Sequence, residues 1–216
     1  MTAIPVLASL GGVVFPGMRC GFLLATDPAM AAVRAVVGGS DQGRIAVFAA
    51  RVADPRSHED LYPVGTVAQI TAVTKSACCG RWVAILRGRE RIRSVEYVRW
   101  EPFREARVTR LADPPQDAPL EEALASAIRR TVTELTARRP RCLHAARARA
   151  AVLASGSACD LPGAVAGLFV HLPVADRQAL LEAEPLGARL EAVLDRLHAL
   201  LESAERDPAH ARRLYD

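Results

Sequence analysis

The sequence predicts an α+β protein with a β-rich lobe over residues 1–112, a linker over 113–119 and a helical bundle over 120–216. Short apolar runs rich in β-branched residues fill the first part, and such runs suit strands better than helices. The linker holds three prolines, which can continue neither a strand ladder nor a helix. Beyond it, apolar residues recur at three- and four-residue spacing, which is typical of helices with one buried face.

The first elements are short strands and one helix. Thr26 or Asp27 can cap the helix, which has Pro28 in its first turn and ends before two glycines. Gly21 would weaken the strand that contains it or mark a bulge. In chain order we expect strands at 4–7, 13–15 and 22–24, a helix over 29–37 and a strand at 45–49.

A β-hairpin is the clearest local signal. Residues 64–73 are dominated by valine, isoleucine and threonine, and the apolar run 82–88 follows after a short segment of small residues. Gly80 can adopt the positive φ that such a turn requires, and Gly88 ends the second strand or lets it bend sharply. Residues 91–95 and 103–111 then alternate polar and apolar side chains, as half-exposed strands do.

Five helices are expected in the second lobe. Asp160 is a candidate cap for the third of them, with Pro162 in its first turn. The last one carries a leucine-rich stripe that begins at Leu186 and ends at Leu201. The predicted helices cover 120–135, 143–153, 160–172, 176–181 and 186–201.

Several segments resemble a known family. The run Asp60-Leu61-Tyr62-Pro63-Val64-Gly65-Thr66-Val67-Ala68-Gln69-Ile70, followed by Arg87-Gly88-Arg89-Glu90-Arg91, resembles the amino-terminal domain of Lon proteases. The helical part of that family is similar to two later segments of this chain. They are the segment from Leu172-Pro173 through Leu180-Leu181-Glu182 and the segment Arg189-Leu190-Glu191. The resemblance covers nearly the whole chain and keeps the same order.

The resemblance implies a PUA-like small β-barrel in the first lobe and a domain that binds substrates without cutting them. The expected partners are unfolded or degradation-tagged polypeptides, received by exposed apolar side chains and sheet edges. The candidate contacts are Phe22, Trp82, Trp100 and Phe103, although buried aromatic residues of this kind also fill cores. We expect either a stand-alone domain protein, without the ATPase and protease parts of Lon, or the detached front part of a longer protease.

The chain lacks the motifs of Lon's catalytic parts. Lys75 is its only lysine, and no glycine-rich phosphate loop precedes it. The same lysine lies at a predicted exposed hairpin tip, where it would not act as the desolvated base of a Ser-Lys protease. The five histidines show no metal-binding spacing. We therefore expect no enzyme activity, no metal and no cofactor.

Composition favours a soluble cytoplasmic protein. Half of the residues are hydrophobic, yet no apolar run reaches the roughly 18 residues that a membrane helix needs. The first ten residues lack the basic start of a signal peptide. Five cysteines without C-x-x-C spacing are expected to be reduced thiols, and the adjacent pair Cys78-Cys79 is a candidate oxidation-sensitive spot.

Two other functions stay open at this point. Residues 81–110 hold nine arginines and four glutamates, and a second arginine cluster spans 138–149, so the protein could be an RNA-binding module of PUA-like type. Against this, the net charge of the whole chain is only +4, and solvated arginines are the simpler explanation. The leucine stripe of the last helix could instead pair between subunits in a structural self-association domain.

Overall fold

The structure, a computed structural model, describes residues 3–39, 43–77, 79–113, 117–138 and 143–206. It divides the chain into two compact units, Met1–Ala112 and Asp113–Asp216. The first, here the β unit, contains the described strands and one helix, and the second, the helical unit, contains helices. The expected α+β class is confirmed. Of the three prolines of the predicted linker, those at 114 and 115 lie outside the described residues, and Pro119 lies in the first turn of a helix that begins at Ala118.

The β unit is built on one six-stranded sheet. The strands are β1 (Ala3–Ser9), β2 (Arg19–Leu23), β3 (Arg44–Ala49), β4 (Val64–Lys75), β5 (Trp82–Arg99) and β6 (Arg104–Arg110). They are ordered β2-β5-β4-β3-β1-β6, and β6 also pairs with β5, so the pairings return on themselves and leave β2 attached outside the ring. β1 and β3 are parallel, and the other pairs are antiparallel.

The predicted hairpin forms, but its second strand is longer than expected. β5 runs without interruption through Gly88, pairing first with β2 and β4 and then with β6. The alternative that Gly88 ends the second strand is wrong, because the structure has one strand where that prediction gave two. The register shift between Val67 and Ala68 leaves one extra residue on β5, Arg89, directly after Gly88, which is a β-bulge. Gly80 has the expected positive φ, 66°.

The strand predicted at 13–15 does not form. Val13, Val14 and Phe15 are buried in an irregular segment, because the carbonyl of Val14 accepts a hydrogen bond of 2.6 Å from the Thr66 hydroxyl rather than from a neighbouring strand. The bulge considered at Gly21 is also absent from β2, where Gly21 is in regular register with Ile85. A side chain would fit only tightly at this position, because an added Cβ atom would lie 3.2 Å from a methyl group of Val83.

One helix, α1 (Asp27–Val37), covers a face of the sheet. Thr26 is its N-cap, and the Thr26 hydroxyl oxygen accepts a hydrogen bond of 3.4 Å from the Ala29 N–H. Val33 and Val36 of the helix join a core cluster with Leu7, Ile45 and other residues of the sheet. A second cluster on the sheet contains Val6, Phe48, Val67 and Ile92. Apolar burial on both sides of the strands therefore holds the β unit together.

The helical unit contains α2 (Ala118–Arg138), α3 (Leu143–Ala154), α4 (Leu161–Val165), α5 (Val174–Glu182) and α6 (Leu186–Arg206). Leu190, Val193 and Leu197 of the predicted leucine stripe are buried inside this unit, where α6 packs on α2. Asp160 occupies the predicted N-cap position of α4, with Pro162 in the first turn. Its side chain makes no cap hydrogen bond, and Ser157 caps the preceding short 3-10 turn by accepting from the Cys159 N–H.

A buried ion pair fixes the start of the helical unit to α6. Arg189 is almost completely buried, and its guanidinium lies 2.8 Å from a carboxylate oxygen of Asp113. A second guanidinium nitrogen donates to the Ala183 carbonyl at 2.9 Å. An arginine in this position must be both paired and hydrogen-bonded, because an isolated buried charge is very costly.

Gly88→Ala is expected to destabilise the β unit by about 1–3 kcal/mol. An added Cβ atom would collide with the backbone oxygen of Phe15 and lie 2.9 Å from its carbonyl carbon. Urea unfolding followed by tryptophan fluorescence measures the change. Gly11→Ala is the control, because nothing lies within 4 Å of its added Cβ, and it should change stability by less than about 0.5 kcal/mol. Equal effects of the two substitutions would contradict this packing.

Asp113→Ala is expected to destabilise the helical unit by about 3 kcal/mol, because it leaves the buried Arg189 charge without its carboxylate. Urea unfolding followed by circular dichroism at 222 nm measures this change in the free energy of unfolding. The matched control is Glu202→Ala, which breaks an exposed pair with Arg206 and should cost at most about 0.5 kcal/mol. An Asp113 variant as stable as the control would show that the buried pair contributes little.

Candidate functional site

The four aromatic residues predicted as contacts do not lie together. Phe22 and Trp82 belong to the neighbouring strands β2 and β5, at the outer end of the sheet. Phe22 is half-buried against the core under α1, whereas Trp82 is 41% exposed, with the Lys75 ammonium 5.3 Å from its ring centroid. Trp100 follows the other end of β5, and Phe103 is a buried member of the core cluster. Their role in binding stays a prediction.

One edge of β2 is open in the described part of the chain. β2 pairs only with β5 there, and hydrogen bonds from the Leu24 N–H to the Trp82 carbonyl and from the Gly88 N–H to the Met18 carbonyl mark the pairs that face β5. In an antiparallel ladder these pairs alternate along the strand. The backbone groups of Arg19, Gly21 and Leu23 therefore point away from β5. The Leu23 carbonyl accepts from the Ala25 N–H, and the other five groups have no described partner.

The outward side of this edge is apolar at one end and basic at the other. Leu23 lies opposite Val83, Gly21 opposite Ile85, and Arg19 opposite Arg87, with each pair on one face of the sheet. Leu23 is 42% exposed, and Val83 and Ile85 are half-buried around the missing side chain of Gly21. We call these six residues, with the outward backbone groups of β2, the edge surface.

The sequence analysis expected sheet edges to receive substrates, but it named four aromatic residues as contacts and missed the residues of the edge surface. A signal for it exists, because a five-residue strand containing an arginine and a glycine has the features of an edge strand. Which strand lies at the edge depends on the order of strands, and the sequence does not give that order.

A separate groove of about 680 Å³ lies beside the other half of β5. Trp100 stacks on Tyr97 in this groove, with 5.3 Å between the ring centroids. Charged residues of both signs, Arg51, Glu59 and Glu96, line the groove beside the rings. Its lining residues are Arg51, His58, Glu59, Leu61, Pro63, Ser94, Val95, Glu96, Tyr97 and Trp100.

A capped turn forms one wall of the groove. The Asp60 carboxylate accepts hydrogen bonds from the backbone N–H groups of Arg56 and Ser57, both at 2.8 Å, and from the Ser57 hydroxyl at 3.1 Å. These bonds favour the charged carboxylate, so they lower the pKa of Asp60 below its ordinary value of 3.8. The turn that carries His58 and Glu59 thus depends on the charge of Asp60.

The arginine cluster in 81–110 is largely occupied with contacts inside the β unit. Arg99 pairs with Glu105, Arg107 with Glu96, and Arg110 with Glu90. Arg91 is buried, and Arg104 lies over the Trp100 ring, 5.0 Å from its centroid. Only a minority of these arginines is therefore available to neutralise phosphates on a nucleic acid.

Metal and thiol chemistry receives little support from the described residues. They contain no group of three or more histidine, cysteine, aspartate or glutamate side chains that could hold a metal ion. Burial raises the pKa of Cys20 to about 11, so its thiol is held in the unreactive protonated form. Cys79 is exposed, but its neighbour Cys78 lies outside the described residues. Among the described helices, none combines the length and hydropathy needed to cross a bilayer.

Comparison with known proteins agrees with the sheet and bundle described above. The family model of the ATP-dependent protease La (LON) substrate-binding domain matches residues 3–199. The chain belongs to the Lon substrate-binding domain family. The resemblance noted in the sequence is thereby confirmed, and it extends over both units.

Curated relatives of this Lon-type domain are much longer proteins. "Lon protease 2" of Myxococcus xanthus is 29% identical over 202 residues, covering 90% of the chain but 23% of that protein. "Lon protease" of Paraburkholderia phytofirmans is 30% identical over 195 residues, covering 88% of the chain and again 23% of the relative. The chain thus spans less than a quarter of the length of these proteins.

Solved structures of Lon N-terminal domains share the fold. The N-terminal domain of the Mycobacterium avium complex Lon protease gives a TM-score of 0.69 at 22% identity, covering 91% of this chain and 98% of that one. A Lon N-terminal domain protein from Xanthomonas campestris gives 0.55 at 19% identity, covering 90% of this chain and 98% of that one. At such identities the likeness establishes the fold and leaves the binding site to be argued from this chain's own residues.

Asp60→Asn is expected to loosen the turn beside the groove. Because the folded pKa of Asp60 is lowered, the carboxylate stabilises the turn above pH 3.8, and this contribution is lost as the pH falls through the folded value. In ¹H–¹⁵N spectra, the amides of Arg56 and Ser57 should titrate in the native protein only below that ordinary pKa. In the Asn variant they should be shifted already at neutral pH and should not titrate. Unchanged amide positions in the variant would contradict the cap.

Proposed function

We propose that this Lon-type domain binds unfolded or degradation-tagged polypeptides in extended form, by strand addition to the open edge of β2, and does not cut them. The observation that carries the proposal is the set of five outward backbone groups on Arg19, Gly21 and Leu23, next to exposed apolar side chains. Unfolded chains present backbone N–H and C=O groups and apolar residues, and folded proteins hide both. An open edge of this kind thus selects for the unfolded state.

The size of the edge sets the expected strength of binding. A peptide strand can satisfy at most the five outward groups and cover Leu23, Val83 and Ile85 on the same face. Each net hydrogen bond contributes about 1 kcal/mol, and ordering the peptide offsets much of that gain. We therefore expect dissociation constants on the order of micromolar, which suits a domain that must release its substrates.

The absence of cutting is supported by the place of Lys75. This sole lysine ends β4 at the exposed end of the hairpin, and its ammonium lies over the Trp82 ring. A Ser-Lys protease needs a lysine that is desolvated and beside its nucleophile. In a Lon-type system we infer that this domain recognises the substrate, while unfolding and cleavage belong to other parts of the protease.

Strand addition predicts that only alternate backbone amides of a bound peptide are needed. The probe is a short fluorescein-labelled peptide of alternating valine and threonine, prepared unmodified and with N-methyl groups on either alternate set of amides. Methylation of the set that faces β2 should weaken binding roughly tenfold or more, because those N–H groups donate to the edge. Methylation of the other set should change affinity less than about twofold. Fluorescence anisotropy measures all three peptides.

Two results would contradict the proposal. Equal losses from both methylated sets would mean that the peptide is not bound as a strand on one edge. Failure of the unmodified peptide and of a permanently unfolded polypeptide to bind, together with salt-sensitive binding of a single-stranded RNA, would favour the nucleic-acid alternative. Mass measured against concentration by light scattering, without any peptide, separates self-association from both.

A further inference from the structure

We propose that the edge surface is selective: it prefers segments that carry an acidic residue with apolar residues two and four positions away. The inference rests on the proposed strand addition and adds the chemistry of the preferred substrate. Its basis is the uncompensated arginine pair at one end of β2, combined with the apolar end formed by Leu23, Val83 and Ile85.

Arg19 and Arg87 lie directly opposite each other on β2 and β5. The neighbouring pairs on both sides face each other with hydrogen bonds, so this is a non-hydrogen-bonded pair, in which the two side chains come closest. Both residues are exposed, and no carboxylate of the described chain pairs with either. Elsewhere on the sheet, Arg44 and Arg110 both form ion pairs with Glu90, and Arg107 forms an ion pair with Glu96.

Two like charges opposite each other destabilise a strand pair. A carboxylate placed on the same face beside Arg19 would relieve this repulsion and accept hydrogen bonds from a guanidinium. A strand added to β2 brings one of its residues opposite Arg19, with the side chain on that face. An acidic residue at this position of the peptide therefore gains an interaction that glutamine cannot fully provide and that lysine opposes.

The rest of the edge surface favours apolar residues. Counting along an added strand, the residues two and four positions from the acidic one lie opposite Gly21 and Leu23, on the same face. Gly21 has no side chain, so a bulky residue opposite it contacts Val83 and Ile85, whose side chains lie 3.2 and 4.0 Å from the Cβ position of Gly21. The residue opposite Leu23 covers a leucine that is 42% exposed.

A second copy of this chain is a poorer occupant. β2 reads Arg-Cys-Gly-Phe-Leu and contains no acidic residue, so edge-to-edge pairing of two copies adds positive charge and leaves the arginine pair uncompensated. The charge of the edge surface instead complements a different polypeptide, one with isolated aspartate or glutamate residues among alternating apolar ones.

The test uses three labelled peptides that differ at one position, Glu, Gln or Lys, with valines two and four residues away. The native protein should bind the Glu peptide roughly five- to tenfold more tightly than the Lys peptide at low salt, with Gln between them. The double variant Arg19→Gln, Arg87→Gln should bind all three about equally. Raising the ionic strength should likewise reduce the difference between the affinities of the native protein for the Glu and Lys peptides.

Arg93→Gln is the control for loss of charge outside the edge surface, because Arg93 is exposed on β5 and its substitution removes one of the two positive charges that the double variant loses. It should keep the full preference for the Glu peptide, and circular dichroism checks that each variant is folded. The selectivity would be overturned if the native protein bound the Glu and Lys peptides equally. It would also be overturned if the Arg93 variant lost as much of the preference for the Glu peptide as the double variant does. If no peptide binds at all, strand addition itself fails.

Discussion

The close contact between Gly88 and the chain around Phe15 is the constraint on which the rest of the β unit depends. A Cβ atom at position 88 has no room beside the Phe15 carbonyl, and the Gly88 backbone exchanges hydrogen bonds with Gly17 and Met18. Thr66 holds the same segment through the Val14 carbonyl. Together these contacts hold residues 13–18 against the sheet. The residues that follow can then pair with β5 as strand β2.

The position of β2 explains why the β unit has an open edge. The other five strands are joined in a ring of pairings, so their hydrogen-bonding groups are largely satisfied within the sheet. β2 is added outside this ring and pairs on one side only among the described residues. Open edges invite unspecific pairing, and short strands with a charged residue are the usual protection. In β2 the same features, five residues and an arginine, leave the open edge to which we propose that a strand of suitable charge is added.

The charges of the sheet show how misleading a simple count of arginines is. In the sequence, residues 81–110 form one basic cluster that could serve RNA. In the structure, three of these arginines pair with glutamates and one is buried, whereas Arg87 meets Arg19 from a distant part of the chain. Arg19 and Arg87 therefore form a local pair of uncompensated charges, which lies next to apolar side chains. That combination fits a polypeptide segment better than a phosphate backbone.

The sequence by itself determined the α+β class, the hairpin, α1 with its Thr26 cap and the family, because these follow from local propensity, periodicity and motif order. Only the tertiary structure decided that residues 13–15 are not a strand, that β5 continues through Gly88, and that the Asp160 side chain makes no hydrogen bond at the start of α4. In the folded protein Trp100 lines the groove whereas Phe22 belongs to β2, and Arg19 lies directly opposite Arg87. Strand pairing joins residues far apart in the chain, and neither propensity nor spacing records which backbone groups remain unpaired when the sheet is complete.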